Sequence, residues 1–394
     1  MTAFVLKSIP RGAPRIGIAV VAGLLLTACT PPPDVPAPQD IQMPDDVEMA
    51  TLEFTSEVIA EGFSVPWSIE VLADGEYLVS ERMGELVHIK DGHSTELRGL
   101  PKTQTFNLDR HYGGMMDVSL HPLFSENRRV YLAYLDRDYR MMVARFVFTD
   151  VSIQDFEVIF ESNGYSLGSR IEWEDESHFF VTQGMAGAPL PDPGAQNLDF
   201  DGGKIHRLIE DGSVPDDNPI LEGQSGPTSI WSYGHRDTQG LFLDKTTGIM
   251  YATEHGPLGG DELNIIEKGG NYGWPRFSYG LNYDGTTVGD LSEEEADSLT
   301  ILPLKSWGPS FNMAPSGLAP VTLPTLGPRL VWGSLLQRRL IAHDVESGMT
   351  SVIIEGIGRV RDLTQLPSGD LIVLIDAETT GKRNSGRVVK LTFR

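Results

Sequence analysis

The chain has 394 residues, of which 55 are acidic and 31 basic, giving a formal charge of −24 at pH 7. So acidic a surface excludes electrostatic binding of nucleic acid and adhesion to anionic lipid headgroups, and any anionic ligand must find a local cluster of cations. The single cysteine, Cys29, excludes intramolecular disulfides, so a packed core or bound ions must supply the stability.

In chain order, Lys7, Arg11 and Arg15 precede an apolar run from Ile16 to Ala28, with no acidic residue before Asp34. This reads as a secretory signal, too short to be a well-flanked membrane span. It ends Leu26-Thr27-Ala28-Cys29, which resembles the lipobox of bacterial lipoproteins. The resemblance implies cleavage before Cys29, lipidation of its thiol, and a place on the periplasmic face of a bacterial membrane, held by the acyl anchor alone. An ordinary signal peptide with a chance cysteine is the other reading. Loss of residues 1–28 would leave 28 basic and 55 acidic side chains, a charge of −27. Residues 29–50 are Pro-rich and acidic and predict an extended tether. The folded part is then residues 51–394, large for one core unless the domain is a closed repeat.

Helical periodicity is scarce in that part, and LSEEEADSL (291–299) is the best short helix. Short apolar runs instead end in Gly, Pro, Asn and Asp turns. One pattern recurs: apolar strand, D-G-type turn, apolar strand, polar cluster. It appears at 69–82, 171–184, 241–255 and 363–376, and more faintly at 118–135 and 318–344. Six units at a period of roughly 50–60 residues predict an all-β chain, a six-bladed β-propeller with four strands per blade. Two stacked sandwiches are the alternative, and they explain the repeated hairpins less well. In a propeller, polar residues after equivalent strands converge at one mouth of the axis.

The densest polar cluster lies between Trp231 and Pro275. His235, Arg236, Asp237 and Gln239 precede one strand of a hairpin. Glu254, His255 and a Gly-Pro-x-Gly-Gly loop follow the other, with Asp261 and Glu262 at its exit. Such a loop leaves backbone carbonyls accessible to a hard cation or to a planar anionic ligand. A long surface hairpin with solvated charges is the plainer reading.

Several stretches together carry a family likeness: GFSVPWSIEVLADGEYLVSER, GGMMDVSLHPLFSENRRVYLAYL, GGKIHRLIEDGSVPDDNP, IWSYGHRDTQGLFLD, YATEHGPLGGDELNIIEKGGNYGWP, APSGL and GRVRDLTQLPSGDLIVLID. The chain resembles the soluble pyrroloquinoline-quinone (PQQ) dependent aldose sugar dehydrogenases of the glucose/sorbosone dehydrogenase family. The resemblance implies a six-bladed propeller and oxidation of the anomeric carbon of an aldose to a lactone. A base takes the hydroxyl proton, hydride passes to PQQ, calcium polarises the quinone oxygen, and a periplasmic acceptor receives the electrons. It implies cofactor contacts at Gln196, Arg236, Asp237, Gln239, Arg359 and Arg361, and calcium ligands in the carbonyls of Gly256 and Pro257. PQQ carries three carboxylates, which suits arginines and amides. Arg359 and Arg361, two apart on a strand, share a face and could reach one carboxylate or both sit in water.

The chain also departs from the family pattern. The catalytic histidine of H-x-G-G-R is replaced by Ser166, whose hydroxyl is too weakly basic for the role near neutral pH. Tyr112 stands for a glutamine, Asp237 for an asparagine, Leu336 for a lysine and Leu258 for an arginine. His111, and after it His255, could substitute as base, although a structural histidine is the commoner outcome. These departures keep two other functions open. One is a catalytically inactive propeller that binds a sugar or a protein partner. The other is a calcium-dependent lactonase-like hydrolase, with Asp237, Glu254, Asp261 and Glu262 as candidate ligands.

Overall fold

The strand Leu371–Ala377 is an apolar run, LIVLIDA, and its first five side chains are fully buried. A strand lacks alternation when both of its faces are covered. The computed structural model describes residues 44–104, 113–184, 194–309, 311–377 and 384–394, and it shows what covers them. Six antiparallel sheets stand around one axis, the six-bladed β-propeller expected from the repeats.

Blade 1 is Pro66–Ala73, Glu76–Glu81, Leu86–Lys90 and His93–Glu96. Blade 2 is Met115–Leu120, Arg129–Leu135, Met141–Thr149 and Ser152–Glu161. Blade 3 is Ile171–Trp173, His178–Gln183, Lys204–Ile209 and Ile230–Tyr233. Blade 4 is Thr238–Asp244, Ile249–Glu254, Asp261–Ile266 and Lys305–Trp307. Blade 5 is Pro315–Leu323, Gly327–Ser334, Arg339–His343 and Thr350–Glu355. Blade 6 is Arg359–Gln365, Leu371–Ala377 and Gly386–Phe393, completed by Phe54–Phe63 from the other end of the sequence. In the last pair Phe54 lies opposite Phe393, so strands from both ends of the sequence close the ring.

The first strand of each blade is innermost and packs on its two neighbours around the ring. Among the described residues the buried apolar side chains form six clusters, one in each seam between blades. Each fully buried Leu, Ile or Val in a seam contributes about 1.5–3 kcal/mol of transfer free energy, so the seams hold the ring together.

Val47–Met49 falls in the stretch read as tether, yet it runs parallel to Thr350–Glu355 as a fifth strand of blade 5. The reason is Val47, whose side chain is buried in the seam between blades 4 and 5. The short helix forms over Glu293–Leu299. Ser292 Oγ accepts from Glu295 N–H, and the Glu295 carboxylate accepts from Ser292 N–H, a reciprocal cap. No helix among the described residues is long and apolar enough to cross a membrane.

Candidate active site

The inner strands start at one mouth of the axis, and the antiparallel second strands end there. Arg170 sits at the centre, immediately before the inner strand of blade 3, and is buried. Its Nη1 lies 3.0 Å from Asp117 of blade 2 and 3.0 Å from Asp362 of blade 6. Its Nε donates to the Gln239 carbonyl of blade 4 at 2.8 Å, and its Nη2 donates to the Arg361 carbonyl at 2.9 Å. One guanidinium therefore ties four blades. Trp67 of blade 1 adds a ring beneath two more cations, with the Arg82 and Arg361 guanidiniums each 4.4 Å from its centroid.

A polar chain crosses the mouth from blade 4 to blade 6. The Gln239 amide donates to Asp237 Oδ1 at 2.8 Å, and its oxygen accepts from Arg361 Nη1 at 3.2 Å. Arg361 Nη2 then donates to Asp376 Oδ2 at 3.1 Å, while Arg359 Nε donates to Asp376 Oδ1 at 3.0 Å. The two arginines do share one carboxylate, and it belongs to the protein. Close approach here depends on missing side chains: a methyl group at Gly184 would collide with the Asp237 carboxylate, and one at Gly168 with the Gln239 amide.

Burial pushes the Arg82 guanidinium down to about 9, helped by the Arg361 charge, and burial chiefly takes Arg361 to about 10. Two cations crowded in this way are stabilised by an added anion. Asp237 moves in the favourable direction for its charge: burial would raise its carboxyl, but His255, Arg236 and Gln239 hold it below the usual range. Three buried N–H donors at the mouth have no acceptor among the described residues: Arg236 Nε, Arg361 Nε and Trp274 Nε1. Each such group costs about 1–3 kcal/mol when left unsatisfied.

Arg236 is aimed by its neighbours. Its Nη1 donates to the His255 carbonyl at 2.8 Å, and its guanidinium lies 5.3 Å from the Trp274 ring. Glu254 fixes the backbone beneath it, accepting from Arg236 N–H and, at 3.0 Å, from Nδ1 of His235. His255 donates from Nε2 to the Pro315 carbonyl at 2.7 Å and turns Nδ1 toward Asp237 Oδ2, 3.5 Å away.

Of the residues expected at the site, Arg236, Asp237, Gln239, Arg359 and Arg361 meet at this mouth. Gln196 joins through Trp274, donating to its carbonyl at 2.8 Å, but its amide is also engaged by Asn271. Gly256 begins the loop beside His255, and its N–H donates to Asp261 Oδ1 at 3.0 Å; Pro257 follows it. Ser166 is wholly buried: its hydroxyl donates to the Gly168 carbonyl and accepts from Gly184 N–H at 3.1 Å. Both of its hydrogen-bonding roles are spent on backbone. His111, Tyr112 and Cys29 lie outside the described residues.

The acidic set of the hydrolase alternative does not assemble. Asp261 is saturated by three backbone N–H groups, those of Gly256, Met313 and Ala314. Glu254 accepts from Arg236 N–H, from His235 Nδ1 and, at 3.4 Å, from the Thr238 hydroxyl. Among the described residues, three ligand-type side-chain atoms come within 4.8 Å of one another only at Glu174, Asp175 and His178, in the turn between the first and second strands of blade 3.

Sequence reasoning missed Trp67, Arg82, Arg170 and Asp376. Arg82 and Asp376 stand at the ends of second strands, in the polar clusters that close each repeat, so superposing the repeats would have found them.

A family model described as Glucose / Sorbosone dehydrogenase matches residues 63–385. The chain belongs to this family. Within the glucose/sorbosone dehydrogenases it is 31% identical over 359 residues to the aldose sugar dehydrogenase YliI of Escherichia coli, covering 86% of this chain and 92% of that protein. A shorter stretch of 73 residues, 18% of this chain and 15% of the other, is 48% identical to the quinoprotein glucose dehydrogenase B of Acinetobacter calcoaceticus. The apo crystal structure of the soluble aldose sugar dehydrogenase of Escherichia coli superposes with a TM-score of 0.74 at 29% identity, covering 87% of this chain and all of that one.

Proposed function

We propose that the protein is a PQQ-dependent dehydrogenase that oxidises the anomeric carbon of an aldose to the lactone. Support comes from the unsatisfied donors at the mouth. PQQ is an anion rich in carboxylate and carbonyl oxygens, and the three unsatisfied donors of Arg236, Arg361 and Trp274 offer what such a group needs. Arg236, Gln239 and Arg361 would hold it, with Trp67 beneath the cations and Gly168 and Gly184 keeping the floor low. The carbonyls of Gly256 and Pro257 would hold a calcium ion as Lewis acid. When bound, PQQ supplies the two-electron acceptor for the oxidation.

The chain's own part is to place the sugar and receive a proton. Ser166 does not receive it, because its oxygen is sealed under Gly168 and Gly184. Asp237 is an ionised carboxylate at the mouth, with Oδ2 beside His255. It is a weak base, so it takes the hydroxyl proton only as hydride leaves the same carbon.

The sealed Ser166 also favours a second reading, a propeller that binds a sugar or a protein and has lost the chemistry. Reconstitution with PQQ and calcium, followed by dye reduction with a panel of aldoses, separates the two. The proposal expects reduction and a PQQ-dependent rise in melting temperature. No reduction with no rise would leave the binding protein. We further propose that Cys29 carries the lipid and that a periplasmic acceptor takes the electrons. Release of a Cys29→Ala variant from membranes, with the parent retained, is the expected result.

A further inference from the structure

Residues 276–290 of blade 4 leave the sheet and return to the mouth as a small hairpin. Its base is fastened to the Gly-Pro-x-Gly-Gly loop by reciprocal bonds between Leu258 and Leu281, 3.0 and 3.2 Å long. Gly280 packs on Gly259 with no room for a side chain. Its tip is held from within. Asn282 N–H donates to the Thr286 carbonyl at 2.8 Å, and the Asn282 amide donates to Thr286 Oγ1 at 3.1 Å and to the Thr287 carbonyl at 2.9 Å. Asp284 Oδ1 accepts from Thr286 N–H at 3.0 Å and from its hydroxyl at 2.7 Å.

This stiff, self-satisfied turn presents Tyr283, which is 62% exposed. The hydroxyl of Tyr283 accepts a long bond from Arg236 Nη2, 3.4 Å away, so the ring stands at the rim of the mouth. An aromatic ring left in water adds nothing to the core. The hairpin nevertheless fixes it beside the guanidinium that closes the candidate site.

We propose that Tyr283 is the platform on which the sugar lies. An aldopyranose has an apolar face of C–H bonds and a polar rim of hydroxyls. A tyrosine offers a flat apolar body for the first and, with only two side-chain torsions, loses little entropy on binding. This inference rests on the reading of the mouth as an aldose site. It makes Tyr283 a residue that selects sugars by shape and leaves the chemistry alone.

The test uses the full chain, its Tyr283→Ala and Tyr283→Phe variants, and D-glucose and D-galactose as probes. In PQQ- and calcium-loaded protein, Tyr283→Ala should raise KM about three- to tenfold while kcat moves less than twofold. Tyr283→Phe, which keeps the ring, should retain the parent KM. Saturation-transfer NMR needs no turnover: transfer to the sugar C–H protons should fall in Tyr283→Ala and persist in Tyr283→Phe. Parent-like KM and transfer in Tyr283→Ala would overturn the platform. So would a Tyr283→Phe variant as impaired as the alanine, because the hydroxyl on Arg236 would then be the active part. If PQQ stabilises none of the proteins, the dehydrogenase reading has failed by itself, and the transfer comparison still decides the platform.

Discussion

Arg170 on blade 3 reaches Asp362 on the opposite blade 6 at 3.0 Å, across the axis of the propeller. The same guanidinium nitrogen reaches Asp117, and all three side chains are largely buried. Removing the cation strands two carboxylates in a poorly solvated site. Arg170→Met should therefore cost about 3–5 kcal/mol of stability, measured by denaturant unfolding. Adding Asp117→Asn and Asp362→Asn to that variant should recover part of the loss; no recovery would mean that the packing of Arg170 matters more than its charge.

Two more carboxyls on inner strands lean on the next blade: Glu70 accepts from Leu120 N–H at 3.2 Å and Glu172 from Leu243 N–H at 3.3 Å. Burial, then the charge of Asp117, pushes Glu70 up to about 8, and burial pushes Glu172 up to about 7. Both keep some accessible surface but are enclosed by the inner strands, so the direction follows from desolvation. Above the ordinary value of 4.5, the folded chain keeps protons that the unfolded chain releases. Their contribution to stability is thus full below pH 4.5 and is lost as pH rises through 7 and 8. Glu70→Gln should flatten the fall of melting temperature across that window; an unchanged slope would refute the assignment.

Restoring a histidine at the family's base position should not restore a base. Ser166 is fully buried, and its hydroxyl bridges Gly168 and Gly184. Ser166→His should overpack the site, costing about 1–3 kcal/mol with no gain in turnover. A gain in turnover at unchanged melting temperature would show that the segment can open.

Asp237 carries two opposed effects. Its charge lies among the arginines and works against an anionic cofactor, yet it is the proposed proton acceptor. Asp237→Asn should therefore tighten PQQ binding about tenfold in a reconstitution titration, the worth of one screened charge contact. It should also lower kcat about 10²- to 10⁴-fold. Parallel losses of affinity and rate would instead mean that the Gln239–Asp237–His255 chain acts only as scaffolding.

The ring was legible in the sequence because six hairpins share one spacing and the turns carry their own chemistry. Gly248, with φ of +75°, and Gly348, with φ of +72°, each close an Asp-led turn, the first between strands one and two of blade 4 and the second between strands three and four of blade 5. Arg236, Asp237 and Gln239 were legible because they crowd into one motif. Arg170 was not, since its partners Asp117 and Asp362 lie 53 and 192 residues away and nothing local marks them. Nor was the sealing of Ser166, which needs Gly184, just after the second strand of blade 3, to come against the loop that holds Ser166 and Gly168. Val47–Met49 was hidden by composition, because a three-residue strand in acidic, Pro-rich sequence gives no periodic signal.

Blade 6 is finished only when Phe54–Phe63 meets Gly386–Phe393. A ribosome must therefore deliver everything from Phe63 to Gly386 before the first of these strands finds its partner. Until then that strand is an open edge on a nascent chain. Permuted versions cut at a surface turn elsewhere and joined at the present ends would carry the buckle as one continuous hairpin, and they should assemble with less exposure to misjoining.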